Sequence, residues 1–374
     1  MADLFKKNID LNICLPLKEH IKKYLADIES SKKRDFLSKV LKSILFCLSF
    51  LYSIILEARL FVYNAGFFKL YRSNVRVISV GNITVGGTGK TPLVALIAQY
   101  LIKAGYNVAV VTRGYAALRS ASGFLADEAE MLKQQLPGLK VEINRDRAKG
   151  INSVREKYNC ACVILDDAFQ NLKIYKGLNI VCIDCRNAFG NKLLLPAGIM
   201  RVPFSYLKLA DVFVLTHSDS GDKYIRSIYE KLRNFNRSAL ICRSVHMPQC
   251  FYNFKDNEEF VLSKIRGKKI AALCGIANPQ SFENMLHNLG ADIALKFYFP
   301  DHYFYQDKEL ANIFKSCAEN FVSVLVTTAK DAPRLKTVLK NNYNGPEILI
   351  LKIQLQIKEN EEKFMERISC LLAA

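Results

Sequence analysis

The sequence lacks tryptophan, has no zinc-finger spacing of cysteine and histidine, and has no basic run interleaved with aromatic residues. It does carry a surplus of positive charge, with 53 Lys and Arg against 35 Asp and Glu and a formal net charge of +18. This surplus favours an anionic partner, although it can also serve solubility alone. Because the aromatic stacking positions of single-strand binders are missing, we rank nucleic acid below an acidic membrane surface or a phosphorylated substrate.

A disulfide framework is also missing, since the 11 cysteines are odd in number and scattered along the chain. With 374 residues, half of them hydrophobic, the chain can bury a large core without such bonds and is long enough for two lobes. This composition is typical of a protein from a reducing cytosolic compartment. The spacings Cys160-x-Cys162 and Cys182-x-x-Cys185 loosely resemble metal ligands, but apolar strand runs surround them, and there free cysteine is an ordinary core residue.

The most apolar stretch lies near the amino-terminal end, where Ser43 to Leu56 contains no charged residue. Basic residues flank this run on both sides: Lys32, Lys33, Arg34, Lys39 and Lys42 before it, and Arg59, Lys69 and Arg72 after it. A core helix fits the run, and so does a helix in the membrane interface with its basic flanks on an anionic leaflet. A spanning helix fits least well, since the run has 14 residues and spanning needs roughly 20. The run also lies too far from the start for a cleavable signal peptide.

Downstream of residue 74, short apolar runs alternate with helical patterns, which predicts an α/β fold with a parallel sheet covered on both faces. Strands are predicted at 75–80, 107–112, 162–166, 179–184, 211–216, 239–245, 269–275, 293–297, 322–327 and 348–353. Helices are predicted at 92–103, 126–135, 146–158, 279–289, 307–319 and 360–371. We divide the chain into an amino-terminal extension with the hydrophobic helix (1–74), a first lobe (75–220) and a second, smaller α/β lobe (221–374). An active site is expected between the lobes, at the carboxyl ends of the strands.

A glycine-rich stretch directly after the first predicted strand reads T-V-G-G-T-G-K-T, that is Thr84, Val85, Gly86, Gly87, Thr88, Gly89, Lys90 and Thr91. Its glycines permit a tight turn whose N–H groups, with the amino end of the next helix, cradle phosphate oxygens. Lys90 is predicted to reach the β- and γ-phosphates of a nucleotide, and the Thr91 hydroxyl to bind Mg²⁺. Thr84 replaces the first glycine of the usual P-loop pattern, which weakens the pattern without removing its chemistry. The glycine order does not fit the G-x-G-x-x-G of dinucleotide-binding folds.

A partner for this loop is predicted at C-V-I-L-D-D, where an apolar strand ends in Asp166 and Asp167. A carboxylate at such a strand end lies beside the Mg²⁺ at the phosphates, and either aspartate can be the ligand. No N-K-x-D element for guanine is present, so ATP is favoured over GTP. Val85 stands where partitioning and nitrogenase-type ATPases carry a second lysine, which argues against that group.

Eight blocks of the chain occur in an order shared with one family. They are V-I-S-V-G-N-I-T-V-G-G-T-G-K-T-P (77–92), T-R-G-Y (112–115), A-D-E-A (126–129), I-L-D-D-A-F-Q-N (164–171), L-L-P-A-G-I-M-R (194–201), C-G-I-A-N-P (274–279), F-P-D-H-Y (299–303) and T-T-A-K-D-A (327–332). Together they resemble the tetraacyldisaccharide 4'-kinase family of lipid A synthesis, over about residues 44–335. Departures from the family's usual residues, none of them at a P-loop or Walker B group, are Ala116, Ala126, Ala129, Ala168, Asn171 and Ala329.

The resemblance implies transfer of the ATP γ-phosphate to the 4'-hydroxyl of a tetraacylated glucosamine disaccharide 1-phosphate. It further implies Mg²⁺ as cofactor and a place at the cytoplasmic face of the bacterial inner membrane. Such an acylated substrate favours the membrane-associated interpretation of the Ser43–Leu56 run.

Individual roles also follow from the resemblance. Asp127 matches the base that accepts the proton of the sugar hydroxyl, and His302 is expected to orient it. Glu128 adds an acid near the metal, beside Asp166 and Asp167. Arg113, Gln170 and Arg201 are candidates for binding the substrate phosphate or the transferred phosphoryl group, since arginine matches phosphate oxygens well. Without the family, the Asp127–Glu128 pair is more typical of a helix N-cap than of a catalytic base, and each arginine could instead form an ordinary surface or interlobe salt bridge.

Two alternatives stay open from the residues. A P-loop ATPase that acts as a membrane-recruited switch or partner-binding module shares the loop, the Walker B strand and the basic helix. It does not account for Asp127, the L-P-A-G block and His302 together. A kinase for another lipid or sugar is the closer alternative.

Overall fold

A computed structural model of the chain describes residues 36–113, 129, 131–133, 136, 138–219, 222–276, 278–301, 303–339 and 343–373. Its strands are β1 (Arg76–Asn82), β2 (Val108–Thr112), β3 (Lys140–Ile143), β4 (Cys162–Asp166), β5 (Leu178–Asp184), β6 (Val212–Thr216), β7 (Leu240–Asn253), β8 (Glu259–Phe260), β9 (Lys269–Cys274), β10 (Asp292–Tyr298), β11 (Val324–Thr328) and β12 (Glu347–Glu359). Its α-helices are α1 (Phe36–Asn64), α2 (Lys90–Lys103), α3 (Arg147–Tyr158), α4 (Asp222–Phe235), α5 (Pro279–Asn288), α6 (Asp307–Glu319), α7 (Ala332–Val338) and α8 (Glu361–Ala373).

All the strands belong to one sheet, in the order β10-β9-β11-β12-β7-β6-β5-β1-β4-β2-β3, with β8 paired to β7. The strands from β6 to β3 run parallel, as their continuous apolar sequences predicted. Strand β7 joins the two predicted lobes, because it pairs in parallel with β6 and antiparallel with β12. The sheet therefore continues across the two lobes, and the division at residue 220 stays a prediction.

The carboxyl-terminal helix returns to the lobe that contains the P-loop, which we call the P-loop lobe. Phe364 and Ile368 of α8 are fully buried in one core with Ile78 of β1 and Leu93 of α2. On the opposite face of the sheet, Leu56 of α1 joins a second core with residues of β5 and β6. Both faces of the central strands are thus covered, and their carboxyl ends form the edge that carries the glycine-rich loop.

Predicted strands in both halves of the chain are confirmed, but β7 and β12 extend well beyond their apolar runs, because they pair with each other over most of their lengths. Helix α4 was missed; it begins at Asp222, directly after the boundary predicted between the two lobes. Its apolar residues Ile225, Ile228 and Leu232 are buried, at the spacing of one helix face. The edge strand β3 was also missed, and its four residues are only partly buried or exposed.

Helix α1 is longer than the apolar run that predicted it, with 29 residues and a length of about 43 Å. The length argument assumed that the helix ends with the uncharged run, but the charged residues Glu57 and Arg59 lie inside α1. The section from Lys39 to Asn64 is long and apolar enough to cross a membrane by length and composition alone. The objection to a spanning helix that rested on the 14-residue run is therefore wrong. One side of α1 packs on the P-loop lobe, and this packing limits the part of the helix surface that lipid can cover.

Candidate nucleotide and phosphoryl-transfer site

The glycine-rich loop connects β1 to α2, and Thr84 fits its first position because the chain is extended there. Thr84 forms an antiparallel bridge with Met200, and the Val85 N–H donates to the Ile199 carbonyl at 2.8 Å. The side-chain amide of Asn82 donates to the Thr84 carbonyl at 2.6 Å. A glycine is therefore not needed at this position, and the loop keeps the geometry that its remaining glycines provide.

The rest of the loop is open to a ligand. Gly86 and Gly89 have positive φ angles of 108° and 81°, a conformation that favours glycine. A Cβ atom at Gly86 or Gly87 would meet no described atom within 4 Å. Gly89 is the N-cap of α2, no side chain caps this helix end, and its first turn carries no acidic residue. The free N–H groups and the helix dipole therefore suit a phosphate, and the buried Thr88 hydroxyl also has no hydrogen-bond partner among the described residues.

The acidic pair lies beside the loop, as predicted, because β4 is paired with β1 and Asp166 is level with Val80. Asp166 is nearly fully buried at the end of β4. Asp167 follows in a left-handed conformation with φ 51°, which turns the chain sharply out of the strand. The two carboxylates therefore face different surroundings, and the structure separates their roles.

Asp167 is held between two cations. Arg201 Nη1 donates to both carboxylate oxygens of Asp167, at 2.8 and 2.9 Å, and Lys90 Nζ lies 3.8 Å from Asp167 Oδ1. Burial alone would raise the pKa of Asp167, but the charges of Lys90 and Arg201 outweigh burial and lower it. Asp167 is therefore ionised at neutral pH, and it connects the P-loop lysine to an arginine that the sequence assigned to phosphate binding.

Arg201 reaches this position because its backbone is fixed from two sides. The Arg201 N–H donates to the Ile83 carbonyl at 2.7 Å, and the hydroxyl of Tyr52 on α1 donates to the Arg201 carbonyl at 3.4 Å. Upstream, Gly198 lies so close to Asn191 and the Leu193 carbonyl that a Cβ would clash. The L-P-A-G block is thus a packed turn that directs Arg201 to the loop.

Gln170 lies close to the site, where its hydrogen bonds involve backbone carbonyl groups and hold the end of β1 in place. Its side-chain amide donates to the Asn82 carbonyl at the end of β1, and Arg59 of α1 donates to the Gln170 carbonyl at 3.5 Å. Arg113, directly after β2, is exposed, and the structure does not bring it to Arg201 or Lys90. Substrate contacts of Arg113, Gln170 and Arg201 stay predictions.

Three of the predicted site residues, Asp127, Glu128 and His302, lie outside the described residues. The neighbours of position 302 are nevertheless held firmly. Lys330 donates to Asp301 at 2.8 Å, and Asp331 accepts from the Gly275 N–H at 3.0 Å and the Tyr305 hydroxyl at 2.9 Å. The blocks C-G-I-A-N-P, F-P-D-H-Y and T-T-A-K-D-A, whose contacts with one another were not predicted from the sequence, therefore meet at one place in the second lobe.

The donor set of the loop fits Mg²⁺. No group of three His, Cys, Asp or Glu side chains that could hold a metal occurs in the part of the chain that the structure describes. Mg²⁺ takes one or two carboxylates and completes its shell with phosphate and water oxygens. Thr91, Asp166 and Asp167 are the described residues that could hold this ion, and Arg201 Nη1 already donates to both oxygens of Asp167.

Two histidines that the sequence analysis did not single out also lie at the loop. The rings of His217, directly after β6, and His246, in β7, stack with centroids 4.3 Å apart and an interplanar angle of 27°. A Cβ built on Gly89 would lie 3.2 Å from His246 Cε1. No motif marks either residue, and only the pairing of β7 beside β6 brings them together.

The fold and this constellation define a P-loop kinase: a phosphate loop, a Walker B carboxylate beside it, and a lysine and an arginine directed to one place. Comparisons with known proteins narrow the class. The family model for tetraacyldisaccharide-1-P 4'-kinase matches residues 41–373, so the chain belongs to the tetraacyldisaccharide 4'-kinase family.

Individual relatives agree. A tetraacyldisaccharide 4'-kinase from Geobacter metallireducens is 33% identical over 317 residues, covering 81% of this chain and 91% of the relative. One from Desulfatibacillum aliphaticivorans is 31% identical, covering 86% and 90%. Among solved structures, LpxK from Aquifex aeolicus in complex with ATP is similar with a TM-score of 0.70 and 28% identity, covering 89% of this chain and 99% of that one.

Proposed function

We propose that this protein is a lipid kinase that transfers the γ-phosphate of ATP to the 4'-hydroxyl of a tetraacylated glucosamine disaccharide 1-phosphate. It would act at the cytoplasmic face of the bacterial inner membrane, with Mg²⁺ as cofactor. The relatives' names support the reaction, and the solved relative with ATP supports the nucleotide.

The observation that carries the proposal is the direct connection between the phosphate site and the apolar helix. Tyr52 of α1 binds the backbone of Arg201, and Ser49 of α1 donates to the Leu194 carbonyl at 2.9 Å. Both acceptors belong to the L-L-P-A-G-I-M-R block that directs Arg201 to Asp167. The acceptor hydroxyl belongs to a lipid in the membrane, whereas the nucleotide is dissolved in water. Because α1 is hydrogen-bonded to the block that ends in Arg201, it would hold the phosphate site close to the membrane surface.

In the reaction, the sugar hydroxyl attacks the γ-phosphorus, a new P–O bond forms, and the bond to the β-phosphate oxygen breaks to release ADP. Lys90 and Arg201 offer positive charge where the phosphoryl oxygens gain negative charge. Asp167 orients both cations. Asp127 is proposed to accept the hydroxyl proton and His302 to orient Asp127, as the family pattern implies. When bound, Mg²⁺ would neutralise charge on the phosphates, with Asp166 and Thr91 as ligands and Glu128 nearby.

The membrane would be contacted through the outer side of α1. Exposed apolar side chains cover this side: Ile44, Phe46, Phe50, Leu51, Ile54, Ile55 and Phe61. The inner side is packed from Ser49 onward, where Leu56 and Leu60 are buried. The first described turns, residues 39–48, carry only exposed or partly exposed side chains and extend for about 15 Å, half of a hydrocarbon core of roughly 30 Å. We therefore favour a helix whose first turns lie in the interface of one leaflet, with Lys39 and Lys42 at the head groups, while its second half holds the P-loop lobe at the surface.

The test is a vesicle assay with the full chain, γ-labelled ATP and the disaccharide 1-phosphate. We expect label in the lipid fraction, and we expect Lys90→Met to abolish it, because the loop then lacks its phosphate-binding cation. ATP hydrolysis without any labelled lipid would instead favour the membrane-recruited ATPase. Labelling of a different glycolipid in preference to this one would assign the chain another acceptor.

A further inference from the structure

The stacked histidines belong to a polar cluster on the opposite side of β1 from the acidic pair. Asp184 ends β5, and its Oδ1 lies 3.3 Å from His217 Nδ1. Arg186 donates to both oxygens of Asp184, at 3.0 and 2.6 Å. The arginine and the carboxylate thus fix one imidazole, and His217 in turn fixes the face of His246 by stacking.

This cluster is in contact with the phosphate loop. Thr216 donates its hydroxyl to the Thr88 carbonyl at 3.0 Å, and a Cβ at Gly89 would meet the Thr216 methyl group at 3.1 Å as well as the His246 ring. The imidazole of His246 therefore lies against the N-terminus of α2, where the phosphates of a nucleotide are expected. Asp167 and Arg201 take no part in these contacts with the loop.

The direction of the bound nucleotide follows from the strand order. In the sheet, β4 lies on one side of β1, and β5, β6 and β7 lie on the other. The γ-phosphate must be near Lys90 and the acidic pair, because transfer takes place there. The nucleoside at the other end of the phosphate chain is then expected on the side of β5 to β7, where the His246 ring lies against Gly89 of the loop and stacks on His217.

We propose that His217 and His246 form the wall against which the adenine base of ATP stacks, and that Asp184 and Arg186 position His217 within it. Both residues are partly buried, and the His217 side chain keeps 14% of its surface exposed. An aromatic face suits a purine because every base has a π-face of its own. The inference rests on the proposed function only in taking ATP as the nucleotide.

The local chemistry agrees with such a wall. Burial, with a smaller effect of the neighbouring His217 and Arg186 side chains, lowers the pKa of His246 to about 3, so its ring is neutral at physiological pH. Its Nδ1 is buried and has no hydrogen-bond partner among the described residues. His217 adopts a left-handed conformation with φ 52°, an arrangement that carries strain and is found preferentially at functional sites. The turn is held in place because Ser218 Oγ donates to the Ser244 carbonyl at 3.0 Å.

The experiment separates base recognition from support of the loop. The full-length protein is titrated with a fluorescent ATP analogue, which is then displaced by ATP or by inorganic tripolyphosphate, in the presence of Mg²⁺ and the absence of lipid. Tripolyphosphate can contact the loop but has no base. We expect His246→Ala to weaken ATP about tenfold while its effect on tripolyphosphate stays within twofold. His246→Phe, which keeps an aromatic face, should restore most of the ATP affinity.

His287→Ala is the matched control, because His287 is a histidine of α5 in the second lobe, and it should change neither affinity. Equal weakening of ATP and tripolyphosphate in His246→Ala would overturn the proposal and make the imidazole a support of the loop. Unchanged ATP affinity would overturn it as well. If His246→Ala lowers the thermal midpoint too far to be measured, His217→Ala is titrated in the same way with the same two outcomes. Because no lipid is present, a failure of the lipid-kinase proposal leaves these results unaffected.

Discussion

Substitution of Gly81 by alanine tests how tightly β1 positions the catalytic carboxylates. Gly81 is next to last in β1, and a Cβ there would lie 2.5 Å from Phe169 Cβ and 2.7 Å from the Phe169 nitrogen. Ordinary contacts of this kind need about 3.4 Å or more, so Phe169 must move by roughly 1 Å. Phe169 is fully buried and cannot move alone. The Asp166–Asp167 turn lies two residues upstream, and its carboxylates would be displaced with it.

The magnitude follows from these distances. Overpacking of a buried site costs about 1–3 kcal/mol of stability, and a displacement of about 1 Å at a catalytic group costs on the order of 10²-fold in rate. We therefore expect Gly81→Ala to lower kcat of the vesicle kinase assay by about 10²-fold, with a moderate fall in thermal midpoint. Ser79→Ala is the control on the same strand, because it removes a buried hydroxyl that has no partner among the described residues. A Gly81→Ala enzyme with full kcat would refute the reasoning, whatever its stability.

Three further changes test other parts of the structure. Arg201→Ala removes the Nη1 atom that donates to both oxygens of Asp167 together with its positive charge, so kcat should fall by roughly 10-fold or more; wild-type kcat would contradict this role. Below about pH 6.5 an unfolded histidine takes up a proton, whereas folded His246 stays neutral down to a pKa of about 3. The thermal midpoint should therefore fall as the pH is lowered below about 6.5, and it should fall less steeply in His246→Phe. The same dependence of the thermal midpoint on pH in both proteins would argue against the low pKa. Phe50→Ser with Ile54→Ser should reduce vesicle binding in flotation, since both side chains are exposed on α1; undiminished flotation would exclude this face as the membrane contact.

The sequence predicted the parts of the site that depend on local pattern. The apolar strand β1, the glycines after it and helix α2 are neighbours in the chain, so their joint role as a phosphate loop could be predicted. Asp166 could be placed beside them because parallel strands end at one edge of the sheet. The contact of Arg201 with Asp167 was not predicted, because it depends on the packed turn at Gly198 and on a left-handed residue at position 167.

Long-range pairing accounts for most of what the sequence did not reveal. Strands β7 and β12 are far apart in the chain, and their antiparallel pairing is what extends both beyond their apolar runs. The stacking of His217 on His246 follows from the same arrangement, since neither residue lies in a recognisable motif. The length of α1 was underestimated for a different reason, because a run without charge is a poor guide to where a helix ends.

The return of α8 to the P-loop lobe has a consequence for how this protein is made. During synthesis, the strands β1 to β6 leave the ribosome long before Phe364 and Ile368, which complete their core. Until the last helix emerges, an apolar surface beside Ile78 and Leu93 stays uncovered. Helix α1 emerges before these strands and is itself apolar, so the nascent chain can reach a membrane or a chaperone before its nucleotide site is finished. Chains that end early, even by a dozen residues, would leave this core open.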